Sequence, residues 1–333
     1  MSFFAILFAF LIEQVRPLGS HNPIHTGLRV WARWVSRNFD AGKPHHGWVA
    51  WSLAVVGPAL VALGIHWLLM AAIGWPAAML WNVAVLYTTL GFRQFSHHFT
   101  EIRDALDAGD ETLARQLLAQ WQRVDASELP RSEIVRHVIE YSVLAAHRHV
   151  FGVLAWYSVL AAFGLGPAGA VLYRMGEFVA RYWKYRNRIH AQPASQALQD
   201  SAGRAWGVID WVPARLTAIA FAVVGSFEEA IDCWRNYAQR FPNDNDGVIL
   251  AATSGAVNVR LGGEALKPAF APNSTQPFAS TGGLGLEPPL DTASTPGREA
   301  EPQHLRSIVG LVWRSVVLWM VLLALLTLAR LLG

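Results

Sequence analysis

Across 333 residues only 15% are charged against 53% hydrophobic, and 27 Lys and Arg stand against 24 Asp and Glu for a net charge of +3. Soluble domains carry about 25% charged residues, so the composition argues against free cytosolic domains, and it excludes a disordered chain, a collagenous chain and, with Cys233 alone, a disulfide scaffold. The near-neutral balance implies no nucleic-acid partner, and fifteen tryptophans suit a chain that meets membrane–water interfaces.

In chain order, residues 1–15 are mostly apolar, with no basic stretch before them and no small-residue cleavage site after. They read as a retained short helix rather than a secretory signal. Segment 16–47 is basic, with Arg16, Arg29, Arg33, Arg37 and Lys43 against Asp40, and reads as a cytoplasmic loop. Residues 48–73 satisfy the requirement of about 20 apolar residues for a spanning helix, Gly57 and Pro58 being tolerated there. Gly74, Trp75 and Pro76 break the run, and 77–92 form a shorter second span, giving a membrane hairpin.

Residues 97–122 predict two short helices, with Ile102, Leu106, Leu113, Leu117 and Trp121 at helical spacing, a break at Gly109 and Asp110 as a cap. Pro130 suits the start of the next helix, and residues 93–142 fall on the cytoplasmic side. Residues 143–165 and 205–225 are apolar but hold His147, Arg148, His149, Asp210 and Arg215. The basic segment 174–204 is expected to be cytoplasmic. Residues 272–302, with six prolines and four glycines, read as a disordered linker. From Ser307 to Leu332 only Arg314 and Arg330 are charged, each near enough to an end to snorkel. No alternation over several segments suggests strands. The expected fold is all-α, a polytopic membrane helical bundle with cytoplasmic helical loops: a membrane domain over 1–271, the linker over 272–302 and a terminal transmembrane helix over 303–333.

The twelve histidines carry no HExxH pattern, and His147 and His149, two apart, point away from each other on a helix, so they read as solvated or interfacial. His97 and Glu101 are one turn apart. No phosphate loop and no nucleophile elbow occur. Cys233 reads as a buried small hydrophobe. Two segments are too polar to be membrane filler. In Asp210–Ala218, Asp210 and Arg215 are costly at membrane depth unless they pair or face a wet site. They form either an ion pair bracing two helices or the floor of a site. In 242–263, Asn243, Asp244, Asn245 and Asp246 are placed either to offer oxygens to Mg²⁺ or to form an Asx-rich turn before a small-residue helix that runs to Arg260 and Gly262–Gly263.

At these residues the chain resembles the CobD/CbiB membrane family of cobalamin biosynthesis. Gly109–Asp110 with Ala114–Leu118, then Arg123 and Asp125, Glu133–Ile134, Arg136 and Glu140, Gly166–Pro167 with Ala170–Arg174, Asp210–Ala218, and Pro242–Asn243 with Ser254–Ala256 and Arg260–Gly263 stand in the family's order. The resemblance implies an adenosylcobinamide-phosphate synthase type of activity, an ATP-dependent amide ligase joining an aminopropanol arm to the corrin with Mg²⁺ and ATP. It implies a multi-pass protein of the bacterial cytoplasmic (inner) membrane that works with a corrinoid substrate and other pathway proteins. Substrate-binding candidates are Arg215, Asp210, Asn243, Asp246 and Arg260, and the metal candidates are Asp125 and Glu140. The family's acids fall here near Leu144, Ala145 and Arg148, and at Met175–Arg181, where Glu177 is the one acid. The start, Glu13–Gln14, Leu18–Gly19, His25 and Leu28–Arg29, and the segment Ile209–Leu216 are similar to AmpE, a relative linked to β-lactamase induction that lacks those acids. That resemblance implies a non-catalytic membrane regulatory protein with no cofactor.

Overall fold

The computed structural model describes residues 2–15, 23–122, 124–189, 194–264, 266 and 294–332. It is all-helical: among the described residues there is no strand, only an isolated parallel bridge between Val259 and Arg298. Helix α1 (Ser2–Val15) buries Ala5, Ile6 and Ala9, and packs on α4 (Trp75–Thr89). The basic stretch expected as a loop is in large part a helix, α2 (Pro23–Phe39). Leu28, Ala32, Val35 and Phe39 recur at helical spacing against α3 (Pro44–Ala72), while Arg33 and Arg37 face outward. Charge had masked this amphipathic pattern.

Among the described residues, four helices are long and apolar enough to cross a membrane: α3; the run Arg131–Ala162, made of α7 (Arg131–Ala146), a π-helical turn (His147–Phe151) and α8 (Gly152–Ala162); α10 (Gln196–Val224); and α13 (Pro302–Leu332). The outer faces of α3 and α13 are apolar and exposed, with Leu60, Val61 and Leu68 on one and Val317, Val321 and Leu325 on the other. Helix α4 closes the expected hairpin but has 15 residues, about 22 Å of rise against a hydrocarbon core of about 30 Å. The run from Arg131 begins twelve residues before the apolar segment seen in the sequence, because Arg136, His137 and Glu140 are buried against one another. Helices α5 (Phe92–Asp107) and α6 (Glu111–Gln122) break at Gly109, which has φ +80°, and Asp110 Oδ1 accepts from the Leu113 N–H at 2.9 Å.

Both interior prolines in the spans remove the N–H that would bond the carbonyl four residues earlier. In each case a tryptophan supplies a replacement donor. Opposite Pro58, Trp31 Nε1 donates to Ala54 O at 3.3 Å; opposite Pro213, Trp156 Nε1 donates to Ile209 O at 2.9 Å. Each indole thereby ties its own helix, α2 or α8, to the one that carries the proline.

Helix α12 (Asp244–Val257) runs through the core with α10 on one side and α11 (Phe227–Tyr237) on the other. Its small residues have a cause. A Cβ on Gly255 would lie 2.2 Å from Glu229 O, and one on Gly247 would lie 2.3 Å from Ala238 O. Asn258, left-handed at φ 53°, ends the helix. Cys233 on α11 is buried, and burial pushes its thiol up. Of the stretch expected as a disordered linker, 272–293 lie outside the described residues, while 295–300 are bonded to the core rather than free. Thr295 bonds Ser254 and Leu261, and Arg298 O accepts from Arg260 N, so 295–300 form a strap over the end of α12.

Candidate functional site

The N-terminal turn of α12 is the junction of the polar interior. Asn245, buried, donates through Nδ2 to Gly207 O on α10 at 3.0 Å, and its Oδ1 accepts from Arg215 Nη1 at 3.0 Å. Arg215 also donates to Trp211 O at 2.9 Å, and its guanidinium lies 4.0 Å from the Trp211 ring. It stands half-buried among the outward apolar residues Val208, Val212, Leu216 and Ile219 of α10. One residue beyond Asn245, both oxygens of Asp246 accept from Arg148 Nη2, at 2.8 and 2.7 Å, and Oδ2 accepts from Asn243 Nδ2 at 3.0 Å. Arg148 is buried and also couples electrostatically to Glu177 and Asp210.

Asp210 does not pair with Arg215. It points inward from the same helix, where Oδ1 accepts from Tyr173 at 2.8 Å and faces His147 Nε2 at 2.8 Å, while His147 Nδ1 faces Thr217 Oγ1 at 2.9 Å. The bracing ion pair is thus replaced by two separate attachments. The histidines of this segment are not solvated either: His147 and His149 are buried, both on the π-helical turn. A π turn re-aims the residues it holds and often marks a functional site. Here it places both histidines and Arg148 in the interior, which an ideal-helix reading of the spacing could not anticipate.

On α9 (Ala168–Ile189), Glu177 is fully buried and accepts from Arg174 at 2.6 Å and from Arg181. Burial pushes its carboxyl up, but Arg181 and Arg174 outweigh burial and hold it at about 2. Four arginines, Arg148, Arg174, Arg181 and Arg215, face four acids, Asp210, Asp246, Glu177 and the exposed Asp244, which acts electrostatically on Arg215.

The other candidates lie apart from this centre. Glu140 Oε1 accepts from Arg136 Nη1 at 3.0 Å and from the Gly262 N–H at 2.7 Å, and Arg136 reaches on to Glu264 O at 2.7 Å. The pair thus holds the loop after α12. Arg260 in that loop is exposed. Asp125 is exposed and its Oδ1 accepts from Ser127 N–H and Oγ, at 3.1 and 2.7 Å. Its neighbour Arg123 lies outside the described residues. So Asp210, Arg215, Asn243 and Asp246 share one connected centre with Arg148, while Glu140, Asp125 and Arg260 do not join it. His147, Tyr173, Arg174 and Arg181 were not among the candidate site residues: the sequence offers His147 as a solvated or interfacial histidine and the other three as parts of the family-like segments Ala170–Arg174 and Met175–Arg181.

The centre does not fit a Mg²⁺–ATP site. Magnesium needs oxygens open to it, and those of Asp246 and Glu177 are engaged by arginine and asparagine. Asp210 Oδ2 is buried without a hydrogen-bond partner, but the nearby Arg148 cation opposes a second cation there, and the exposed Asp244 carboxylate is likewise set against Arg215. His97 and Glu101 stand 3.6 Å apart on an exposed face. Among the described residues no three His, Cys, Asp or Glu side chains are grouped to hold a metal.

The profile of the family described as CobD/Cbib protein matches residues 3–277, and the chain belongs to that family. It is similar to the cobalamin biosynthesis protein CobD of Stutzerimonas stutzeri (strain A1501), 31% identical over 284 residues, 85% of this chain and 82% of that protein. The cobalamin biosynthesis protein CobD of Chromobacterium violaceum is 31% identical over 277 residues, 81% of this chain and 79% of that protein. Protein AmpE of Shigella flexneri is 22% identical over 243 residues, 70% of this chain and 78% of that protein. No solved structure matches.

Proposed function

We propose that this family member works in cobalamin biosynthesis as a multi-pass protein of the bacterial cytoplasmic membrane, holding an anionic corrinoid without performing the Mg²⁺–ATP amide ligation. One observation carries this reading: the oxygens of Asp246 and Glu177 are engaged by arginines and so are closed to a metal, while Arg215 beside them keeps guanidinium donors for an anion. Arg215 is the group best placed to meet a carboxylate or phosphate, because one nitrogen serves Asn245 and Trp211 while the planar fork offers further donors.

The test has two arms. Expression in a corrinoid auxotroph lacking adenosylcobinamide-phosphate synthase is expected to give no growth on the substrate of that step, and restored growth would overturn the non-ligase reading. Membranes containing the chain are expected to retain adenosylcobyric acid, and Arg215→Ala to abolish retention while the protein still inserts. Absence of retention by the unaltered chain would overturn the corrinoid reading. A second reading, a non-catalytic regulatory membrane protein as in the resemblance to AmpE, is supported by that protein's similarity over 70% of this chain and by the Ile209–Leu216 segment. It predicts failure in both arms.

A further inference from the structure

We propose that the cavity bounded by α2, α3, α4 and α9 binds a long-chain fatty acid drawn from the bilayer, its carboxylate on Arg174. This goes beyond the corrinoid reading and does not depend on it. The cavity measures about 480 Å³, and its wall includes Leu28, Trp31, Leu53, Val61, Trp81 and Phe178; small-molecule sites span about 300–1,000 Å³.

The hydrogen-bonding state of the wall defines the ligand. Its neutral polar side chains are satisfied within the protein: Trp31 Nε1 on Ala54 O, Trp81 Nε1 on Ala62 O at 3.0 Å, and Thr88 and Thr89 on Val85 O at 2.8 and 2.9 Å. The exception is Arg174. Of its five N–H donors, the Nη1 group serves Glu177, and those on Nε and Nη2 have no partner among the described residues. Glu177, also in the wall, is held by both Arg174 and Arg181, so this end of the cavity is cationic. A ligand that suits this wall is a hydrocarbon body with one anionic group able to take two parallel N–H bonds.

Position selects among such ligands. Val61 and its neighbour Leu60 are exposed on the outer face of α3, so the mouth opens toward lipid. The α3 residues of the wall run from Leu53 to Ile65, inside the 29-residue helix and away from both its ends. A head group on Arg174 must therefore leave the interface. A two-chain phospholipid keeps its phosphodiester at the interface, whereas a fatty acid brings a small carboxyl group on a single chain.

The experiment uses the full chain in nanodiscs and palmitic acid carrying a photoreactive diazirine near its tail, with adducts located by peptide mass spectrometry. Saturable labelling of the α3, α4 and α9 walls is expected. Unlabelled palmitate should compete about tenfold or more better than hexadecanol, which has the chain without the charge. Val61→Trp, at an exposed rim position, should block labelling without moving the thermal midpoint, and Arg174→Gln should make palmitate and hexadecanol equivalent. The proposal is overturned if Val61→Trp labels like the unaltered chain, if hexadecanol competes equally with palmitate, if a single-chain alkyl phosphate competes better than palmitate, or if adducts spread evenly over the outer helices. Should Arg174→Gln fail to fold, the Val61→Trp and hexadecanol comparisons still decide.

Discussion

Replacing Trp156 with Phe isolates one hydrogen bond at membrane depth. The change keeps an aromatic ring but removes the indole N–H that donates to Ile209 O at 2.9 Å. Pro213 has already withdrawn the helical donor from that carbonyl, and hydrocarbon offers no water in its place. An orphaned acceptor costs about 1–3 kcal/mol, to which Trp156→Phe adds some lost packing. The two parts separate in a double-mutant cycle. In a Pro213→Ala background the backbone N–H of residue 213 returns to Ile209 O, so the indole bond becomes redundant and only the packing loss remains. Reversible unfolding in mixed micelles should therefore show a coupling of about 1–3 kcal/mol between positions 156 and 213. Effects that add to within about 0.5 kcal/mol would refute the account of tryptophan as the proline's substitute donor.

Three further outcomes follow from the packing and charges. Asp246→Asn leaves Arg148 buried with its main counter-charge gone and should cost about 3 kcal/mol in the same unfolding assay. Gly255→Ala forces a Cβ against Glu229 O at 2.2 Å and should destabilise by about 1–3 kcal/mol, read as a lowered thermal midpoint. Glu177 titrates at about 2 in the folded chain against an ordinary 4.5. Its folded-state value is depressed, so its contribution is present above about pH 4.5 and is lost as pH falls toward 2. Glu177→Gln should destabilise at pH 7 and flatten the fall in stability between pH 5 and 3; an unchanged slope would show that Glu177 is not the group responsible.

Much of the scaffold was legible because apolar length is a local property. The terminal helix and α3 follow from uninterrupted hydrophobic runs, and the α5–α6 break from a glycine and an aspartate. What escaped depended on partners distant in sequence. The sequence offers Glu140 as a metal candidate, yet it is buried against Arg136, and Gly262, more than a hundred residues on, completes its bonding. Asp210 and Arg215 suggested each other by proximity, but five residues of helix turn them to different sides, one toward His147 and Tyr173 and the other toward Asn245. The π turn adds a residue that ideal periodicity does not count, so the inward direction of His147 and Arg148 was invisible to a 3.6-residue template.

The strap over α12 has a topological consequence. Because Leu261 N and O both bond Thr295, and Arg260 N bonds Arg298 O, the chain leaves this point and returns to it. Whatever is threaded between the two anchors closes a ring whose ends are already fixed, and each doubling of such a ring costs only about 0.6 kcal/mol. The docking of α13 then depends on the strap and its own helix contacts rather than on the covalent tether, and a chain cut between residues 266 and 294 has the means to hold its last helix in place.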